Sequence, residues 1–153
     1  MESRVITSPM TRAERAAAAR IETRRRHELA TRLAAPHDGV VTYAMLHRAA
    51  LTRGQVRSAI EGGLWHPAGK HTVSITSDAP TGRGLWWRAL WESGASAVLD
   101  GVTSLFAWGL KNWNEELLDV TVAHNRRVRA IAGVRHHQVR EVRDCFRTKS
   151  PHR

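Results

Sequence analysis

The chain has 153 residues and carries 24 Lys and Arg against 14 Asp and Glu, a formal net charge of +10 that fits a nucleic-acid partner. Hydrophobic residues make up 42% and charged residues 25%, which argues for a folded core and against wholesale disorder. The single cysteine, Cys145, excludes an internal disulfide framework and a multi-cysteine metal site, and no apolar run approaches a membrane span, so we expect a cytoplasmic protein without a membrane partner.

The N-terminal part of the chain predicts an extension followed by a helix. Residues 1–19 are expected to form a basic flexible extension, because they contain a Ser-Pro pair and a low-complexity alanine run. Residues 20–35 predict a helix, since Leu29 and Leu33 are spaced i, i+4 on one face. Three arginines one turn before Leu29 form either a solvated face or a phosphate contact. They are Arg24, Arg25 and Arg26.

Residues 42–61 predict two short helices joined by a tight turn. Thr42 is a suitable N-cap for a helix that ends near residue 50. Thr52 and Gln55 have the spacing of a capping box, in which each side chain accepts a hydrogen bond from the other residue's backbone. This box starts a second helix that is expected to run to about Glu61, before a pair of glycines ends it.

A hairpin is predicted directly after the two helices, with strands at residues 64–67 and 70–75. Its apolar side chains are expected to cover the helices, and its polar ones to lie near the tip. The covering residues are Trp65, Val73 and Ile75, and the tip residues are His66, Lys70 and His71. Two helices followed by a basic hairpin are typical of a winged helix-turn-helix. We therefore predict such a DNA-binding domain over residues 20–78.

The rest of the chain predicts a small or incomplete α/β domain over residues 80–145 and a tail over residues 146–153, so the fold class is α+β. Tryptophans at helical spacing in residues 81–93 are expected to pack in a core rather than to form a ligand cage. The other predicted elements are a strand at 97–99, a helix capped by Asp100 that buries Val102, Leu105 and Phe106, and strands at 118–122 and 133–142.

Neither catalysis nor a metal or other cofactor is expected. Metal-dependent phosphodiester cleavage needs carboxylates that converge on a divalent ion. Asp119 heads a strand but no Glu-x-Lys pattern follows it, so we predict that it faces solvent. His136 and His137 are adjacent in a strand and therefore point to opposite sides, where they cannot easily share an ion. The carboxylates considered are Asp100, Glu115, Glu116, Asp119 and Asp144.

Three ordered segments resemble the actinobacterial AbiEi-like proteins, the antitoxins of type IV toxin–antitoxin systems. HDGVVTYAMLHRAALTRGQVRSAIEGGLWHPAGKHTVSI resembles the N-terminal winged helix of that family, and GLWWRALWESGASAVLDGVTSLFAWGL resembles its middle helical segment. DVTVAHNRRVRAIAGVRHHQV resembles its following β-rich segment, so the resemblance covers about residues 29–142. It implies DNA binding by the winged helix, repression of a toxin–antitoxin operon, and a cognate nucleotidyltransferase-like toxin as a protein partner.

The chain departs from this family after the last predicted strand. Members of this kind continue with a Pro-rich, helix-forming segment of a larger domain, whereas this sequence closes with CFRTKSPHR. We therefore expect an incomplete second domain. The family assigns toxin neutralisation mainly to the C-terminal half, so we expect this chain to repress transcription better than it neutralises a toxin.

The resulting hypothesis is a sequence-specific binder of double-stranded DNA, an antitoxin-like transcriptional repressor rather than an enzyme. Arg and Gln are the side chains that read guanine and adenine edges, so the second helix is expected in the major groove. Its candidate contacts are Arg53, Gln55, Arg57 and Ser58. Phosphate or minor-groove contacts are assigned to Lys70 and His71, and backbone contacts to Arg24, Arg25, Arg26 and Arg48. The alternatives are a remnant of a Vsr-like endonuclease-fold protein and a general RNA-binding basic protein.

Overall fold

The structure is a computed structural model that describes residues 10–111, 116–124 and 127–140, and within them the fold is α+β. The helices are α1 (Arg12–Ala34), α2 (Tyr43–Arg48), α3 (Arg53–Glu61), α4 (Arg83–Ser93) and α5 (Gly101–Ala107), with a short 3-10 helix at Ala35–His37. The strands are β1 (Val40–Thr42), β2 (His66–Pro67), β3 (Thr72–Ser74), β4 (Val98–Leu99), β5 (Leu118–Ala123) and β6 (Val134–Val139). In these residues we find no helix with the length and apolarity that a membrane crossing requires.

Helix α1 begins well before the predicted start at residue 20. Thr11 and Glu14 form a capping box: the Glu14 N–H donates to Thr11 Oγ1 at 3.2 Å, and the Thr11 N–H donates to a Glu14 carboxylate oxygen at 2.7 Å. The alanine run that follows favours helix, because alanine has the highest helix propensity. The predicted flexible extension is therefore wrong for residues 12–19, while residues 1–9 lie outside the described part of the chain.

The two short helices and their caps are confirmed. Thr42 Oγ1 accepts a hydrogen bond from the Met45 N–H at 3.1 Å at the start of α2. The capping box of α3 is complete, since the Gln55 N–H donates to Thr52 Oγ1 at 3.3 Å and the Thr52 N–H donates to Gln55 Oε1 at 2.8 Å. Helix α3 ends at Glu61, as predicted, and the second glycine after it adopts a positive φ of 71°.

The first sheet has the strand order β1-β3-β2 and is antiparallel throughout. Strands β2 and β3 form the predicted hairpin, although they are shorter than the sequence suggested. Trp65, Val73 and Ile75 are 2%, 0% and 5% exposed, which confirms that they cover the helices. They pack with side chains from α1, α2 and α3 in the larger of two apolar clusters. Its buried helical members are Ala30, Ala34, Leu46 and Val56.

The second sheet has the order β4-β5-β6, with β4 antiparallel and β6 parallel to β5. The predicted strands at 97–99, 118–122 and 133–142 are confirmed in position, except that residues 141–142 lie outside the described part. The cluster beneath this sheet is small. Its buried members are Ala89, Val120 and Val122.

Helix α4 contacts both sheets: β1 and β3 of the first, and β4 and β5 of the second. Trp87 and Trp91 are half-buried rather than buried, and their ring centroids lie 5.3 Å apart. The His37 ring meets both, at 4.7 Å from Trp87 and 5.0 Å from Trp91. The tryptophans therefore join α4 to the 3-10 helix that follows α1 instead of forming a core of their own.

Helix α5 turns a different face inward from the one predicted. Leu105, expected to be buried, is 52% exposed, and Val102 and Phe106 are only half-buried. Thr103 is fully buried instead, and its hydroxyl accepts a hydrogen bond from the Asp119 N–H at 2.7 Å. This bond to β5 orients α5, so a polar contact overrides the apolar periodicity of the segment.

Candidate nucleic-acid interface

Helix α3 presents a basic face to solvent. Val56, which is 2% exposed, fixes the inner side of the helix, and successive residues turn by about 100° around the axis. Ser58 projects from the side opposite Val56, and Arg53, Arg57 and Ser58 are all exposed. Arg57 has an acidic neighbour in Glu61, with 4.0 Å between Nε and Oε1, and the two side chains are 75% and 71% exposed. Such an exposed pair is weak, so it leaves Arg57 able to engage an anion.

Gln55 lies apart from this exposed face. Its side chain is half-buried and its carbonyl oxygen already accepts the Thr52 N–H in the capping box. Bidentate recognition of adenine needs the amide oxygen as an acceptor and the amide nitrogen as a donor at once. A base contact by Gln55 would have to share or break the bond that starts α3.

A cleft of about 200 Å³ separates α1 from α3. Thr23, Arg26 and His27 line it from α1, and Gln55 and Ser58 line it from α3. Apolar residues form the rest of its wall: Leu51, Ala59, Leu64 and Trp65, with Gly62 beside them. None of these lining residues is an Asp or Glu, so the cleft contains one guanidinium, hydroxyl groups, an imidazole and an amide but no carboxylate.

One wall of the cleft is held by a hydrogen bond between the hairpin and α1. The Trp65 Nε1–H donates to His27 Nδ1 at 3.0 Å. Because an indole N–H can only donate, His27 must accept at Nδ1 and carry its proton on Nε2. This bond joins Trp65 to the part of α1 at which the helix first becomes half-buried.

The four N-terminal basic candidates are not brought together. Neighbouring helical positions point about 100° apart, so Arg24, Arg25 and Arg26 lie on different sides of α1. Only Arg26 lines the cleft, where its Nε lies 3.1 Å from a Glu22 carboxylate oxygen. Arg24 and Arg25 are exposed, and so is Arg48 at the end of α2.

The tip of the hairpin is built around a carboxylate from α4. Glu92 accepts hydrogen bonds from the backbone N–H groups of Lys70 and His71, at 3.1 and 2.7 Å, and from the Thr72 hydroxyl at 2.7 Å. A Cβ at Gly69 would come against the Glu92 carboxylate, so a larger residue there would force Glu92 to move away from the hairpin tip. The Lys70 and His71 side chains remain exposed, but their backbone donors are occupied. Sequence reasoning missed Glu92, because nothing local links it to a hairpin twenty residues earlier.

Asp119 is buried, so the prediction that it faces solvent is wrong. It is 3% exposed and receives hydrogen bonds from Arg135 Nε at 2.6 Å, Arg135 Nη2 at 3.1 Å and His137 Nε2 at 2.9 Å. The bonds from Arg135 lower the pKa of Asp119, and those from His137 add to the effect, while burial opposes both. Asp100 lies beside this group and bonds to the Thr121 hydroxyl, which lowers the pKa of Asp100.

The arrangement around Asp119 is that of an ion pair rather than of a cation site. The guanidinium of Arg135 forks onto both carboxylate oxygens, where a divalent ion would have to bind. Within the described ranges no three His, Cys, Asp or Glu side chains are grouped to hold a metal. His136 points away from His137, as predicted, and its Nε2 meets Ser93 Oγ at 2.8 Å. Glu115 and Asp144 lie outside the described residues.

No protein-family model matches this chain, and no curated protein matches it either. What the protein does must therefore be inferred from its own residues and from the resemblance described above.

Proposed function

We propose that this protein is a sequence-specific DNA-binding protein whose helices α2 and α3 and β2–β3 hairpin act as a winged helix-turn-helix. The observation that carries the proposal is the exposed basic face of α3: a complete capping box starts the helix, and Arg53 and Arg57 project from its first two turns. A recognition helix contacts base edges with its N-terminal residues. The net charge of +10 supplies the general attraction to a polyanion.

Each group in this region has a distinct part in the proposed complex. Arg53 and Arg57 read guanine edges in the major groove, and Ser58 contacts a base or phosphate beside them. Gln55 holds the start of α3 in place. The other contacts go to the sugar–phosphate backbone and come from the side chains of Lys70, His71, Arg26 and Arg48.

The biological role proposed is antitoxin-like repression of a toxin–antitoxin operon, with a nucleotidyltransferase-like toxin as the protein partner. This part rests on the resemblance to AbiEi-like proteins over about residues 29–142. A reporter fused to the promoter of the operon that encodes the chain tests it. Expression of the protein should lower reporter output, and Arg57→Ala should relieve that repression.

Base reading is tested with Arg57→Ala on a site selected from random duplexes. We expect binding to the selected site to weaken by about 1–3 kcal/mol and the preference at one base position to relax. Glu61→Gln is the matched control, because it removes the acidic neighbour of Arg57 and keeps the guanidinium. Equal losses on the selected site and on random DNA would make Arg57 a phosphate contact, and failure of wild type to select any site would refute sequence-specific binding.

The hairpin contact is tested through the dependence of affinity on salt. Each neutralised phosphate contributes a slope of about −0.9 to log Kobs against log salt concentration. Lys70→Ala should make the slope shallower by about 1 without changing base preference. An unchanged slope would remove the hairpin from the interface.

Two competing functions are separated by competition and cleavage experiments. If the protein binds RNA or random DNA as tightly as its selected site, the general RNA-binding alternative is favoured. The nuclease alternative rests on the resemblance alone, because Arg135 occupies both carboxylate oxygens of Asp119. Magnesium-dependent cleavage of a plasmid that Asp119→Asn abolishes would favour that reading.

A further inference from the structure

The first half of α1 projects away from the larger apolar cluster. Every residue from Met10 to Arg25 is exposed, and burial along the helix begins at the half-buried Arg26. Full burial is reached only at Ala30 and Ala34, which are 0% and 2% exposed. With a rise of 1.5 Å per residue, residues 12–25 extend for about 21 Å. Within the described part of the chain, nothing covers this stretch.

Three arginines lie on the side of α1 that lines the cleft. Arg15 and Arg12 precede Arg26 by 11 and 14 positions, close to three and four turns of helix, so both project within about 40° of Arg26 and all three within about 60° of one another. We call this side the cleft face of α1. The other residues on it are small or polar: Ala16, Ala19 and Thr23.

We propose that the cleft face of α1 and the cleft below it form a seat for one sugar–phosphate strand of bound DNA. A phosphate group enters the cleft between Arg26 and Ser58, and the strand continues along α1 past Arg15 and Arg12. The inference rests on the proposed DNA binding and deepens it, since it extends the contact from the groove to the flanking backbone. The contact would hold register on the duplex and carry no base preference.

Charge complementarity identifies the occupant. The cleft is lined by hydrogen-bond donors and the Arg26 guanidinium without a carboxylate, which suits a phosphate and disfavours a basic or acceptor-poor partner. A second copy of α1 would set Arg12 and Arg15 against like charges. An apolar helix would meet only two alanines and a threonine between the arginines, which is too little apolar surface for a stable helix–helix interface.

Glu22 is the acidic group that borders this seat. Its carboxylate holds Arg26 Nε at 3.1 Å, and the two side chains are 49% and 33% exposed. A phosphate entering the cleft would have to share Arg26 with Glu22. The pair is exposed enough for this exchange to be easy, because such pairs contribute little in water.

Two triple variants with the same loss of charge on the same helix test the seat. The first changes the cleft face: Arg12→Ala, Arg15→Ala and Arg26→Ala. The second changes exposed arginines that point about 100–160° away from Arg26: Arg24→Ala, Arg25→Ala and Arg32→Ala. Alanine preserves the helix, which circular dichroism verifies. The salt dependence of binding to a selected DNA site is then measured for both.

The cleft-face variant should make the log–log salt slope shallower by about 2.7, while the other triple changes it by less than about 1. Neither should alter base preference. Glu22→Gln should tighten binding more than Glu28→Gln, a control on an exposed residue that points away from the cleft. Equal effects of the two triples, or of the two Gln variants, would overturn the inference by showing that only net charge matters.

Two further results separate this inference from the function on which it rests. If the cleft-face triple binds as well as wild type while Arg57→Ala loses base preference, the seat is refuted and DNA reading stands. If wild type binds no DNA, the proposed function itself fails. The last experiment measures thermal stability as inorganic phosphate is added. If phosphate stabilises the wild-type protein but not Arg26→Ala, while the salt slope for DNA is unchanged by that substitution, the cleft binds a free anion and the proposed DNA strand is refuted.

Discussion

Asp119 illustrates how one side chain organises the second sheet. It lies opposite Arg135 in the parallel register of β5 and β6, so the two side chains stand on the same face of neighbouring strands. His137, two positions further along β6, reaches the same carboxylate. Hydrogen bonds from Arg135, followed by those from His137, hold the pKa of Asp119 below its ordinary value of 3.8. The carboxylate is therefore charged and paired across the neutral pH range.

Replacing this carboxylate should destabilise the protein in a pH-dependent way. We expect Asp119→Asn to lower the free energy of unfolding by about 1–3 kcal/mol at neutral pH. The buried amide would be a poorer hydrogen-bond partner than the carboxylate, but Arg135 is exposed enough to be solvated by water, which limits the loss. Folding lowers the pKa of Asp119, so its stabilising contribution is present above pH 3.8 and is lost as the pH falls below that value. Urea unfolding from pH 7 to pH 3 measures both effects.

Asp78→Asn is the control for this prediction, because Asp78 is exposed. The difference between Asp119→Asn and wild type should shrink toward the acid end of the series, and Asp78→Asn should show little difference anywhere. A difference that stays constant with pH would mean that the Asp119 charge contributes nothing and that only shape is lost.

At the scale of elements, α3 shows how strongly local hydrogen bonding can specify a helix. Its start is set by reciprocal bonds between Thr52 and Gln55, three residues apart. Its end follows from two glycines, the second of which has a φ of 71° that other residues rarely adopt. Only Val56 of this helix is buried, so the caps matter more here than in a helix held by a wide apolar face.

We therefore expect Thr52→Ala to lower stability by about 0.5–2 kcal/mol, measured by urea unfolding. Thr52→Ser should restore most of the loss, because serine keeps the hydroxyl that accepts the Gln55 N–H. The DNA affinity of Thr52→Ala should fall as well, since Arg53 and Arg57 project from the first turns of the frayed helix. If the serine variant were as unstable as the alanine variant, the hydroxyl would not be the cause.

At the scale of the whole molecule, α4 connects the two sheets. One side of it meets β1, β3 and the His37 ring, and the other meets β4 and β5. Polar bonds reinforce this position, because Glu92 holds the hairpin tip and Arg88 Nε donates to the Ala68 carbonyl at 2.7 Å. The hairpin proposed to touch DNA is thus supported from the second half of the chain.

Removing the Glu92 carboxylate should loosen the hairpin from α4. Glu92→Ala leaves the Lys70 and His71 N–H groups and the Thr72 hydroxyl without their acceptor. A hydrogen bond to a charged group contributes about 1.5–3 kcal/mol, and less where water can replace the acceptor. We expect a loss of stability on the order of 2 kcal/mol and faster amide exchange at residues 70–72. Glu28→Ala, on an exposed position of α1, is the control. Unchanged exchange at the tip would show that Glu92 does not hold the hairpin in solution.

Elements whose signals are local can be predicted from the sequence. The caps at Thr42 and Thr52, the stop after Glu61 and the apolar residues of the hairpin all depend on partners within a few positions, so spacing alone predicted them. The alanine run before residue 20 has the composition of a low-complexity segment, but the nearby Thr11–Glu14 capping box is a local helix signal of the same kind as that of Thr52 and Gln55. The α+β class followed from these elements.

Contacts between distant parts of the chain depend instead on how the elements pack. The burial of Asp119 depends on a parallel register with β6, and Glu92 reaches the hairpin only because α4 packs on β3. The orientation of Gln55 toward α1, and with it the cleft, depends on how two helices pack. Hydrophobic periodicity shows which face of an element is apolar. A long-range hydrogen bond, such as the one between Thr103 and β5, can still orient the helix differently. The acceptor and donor of such a bond are brought together by packing, which residue spacing does not encode.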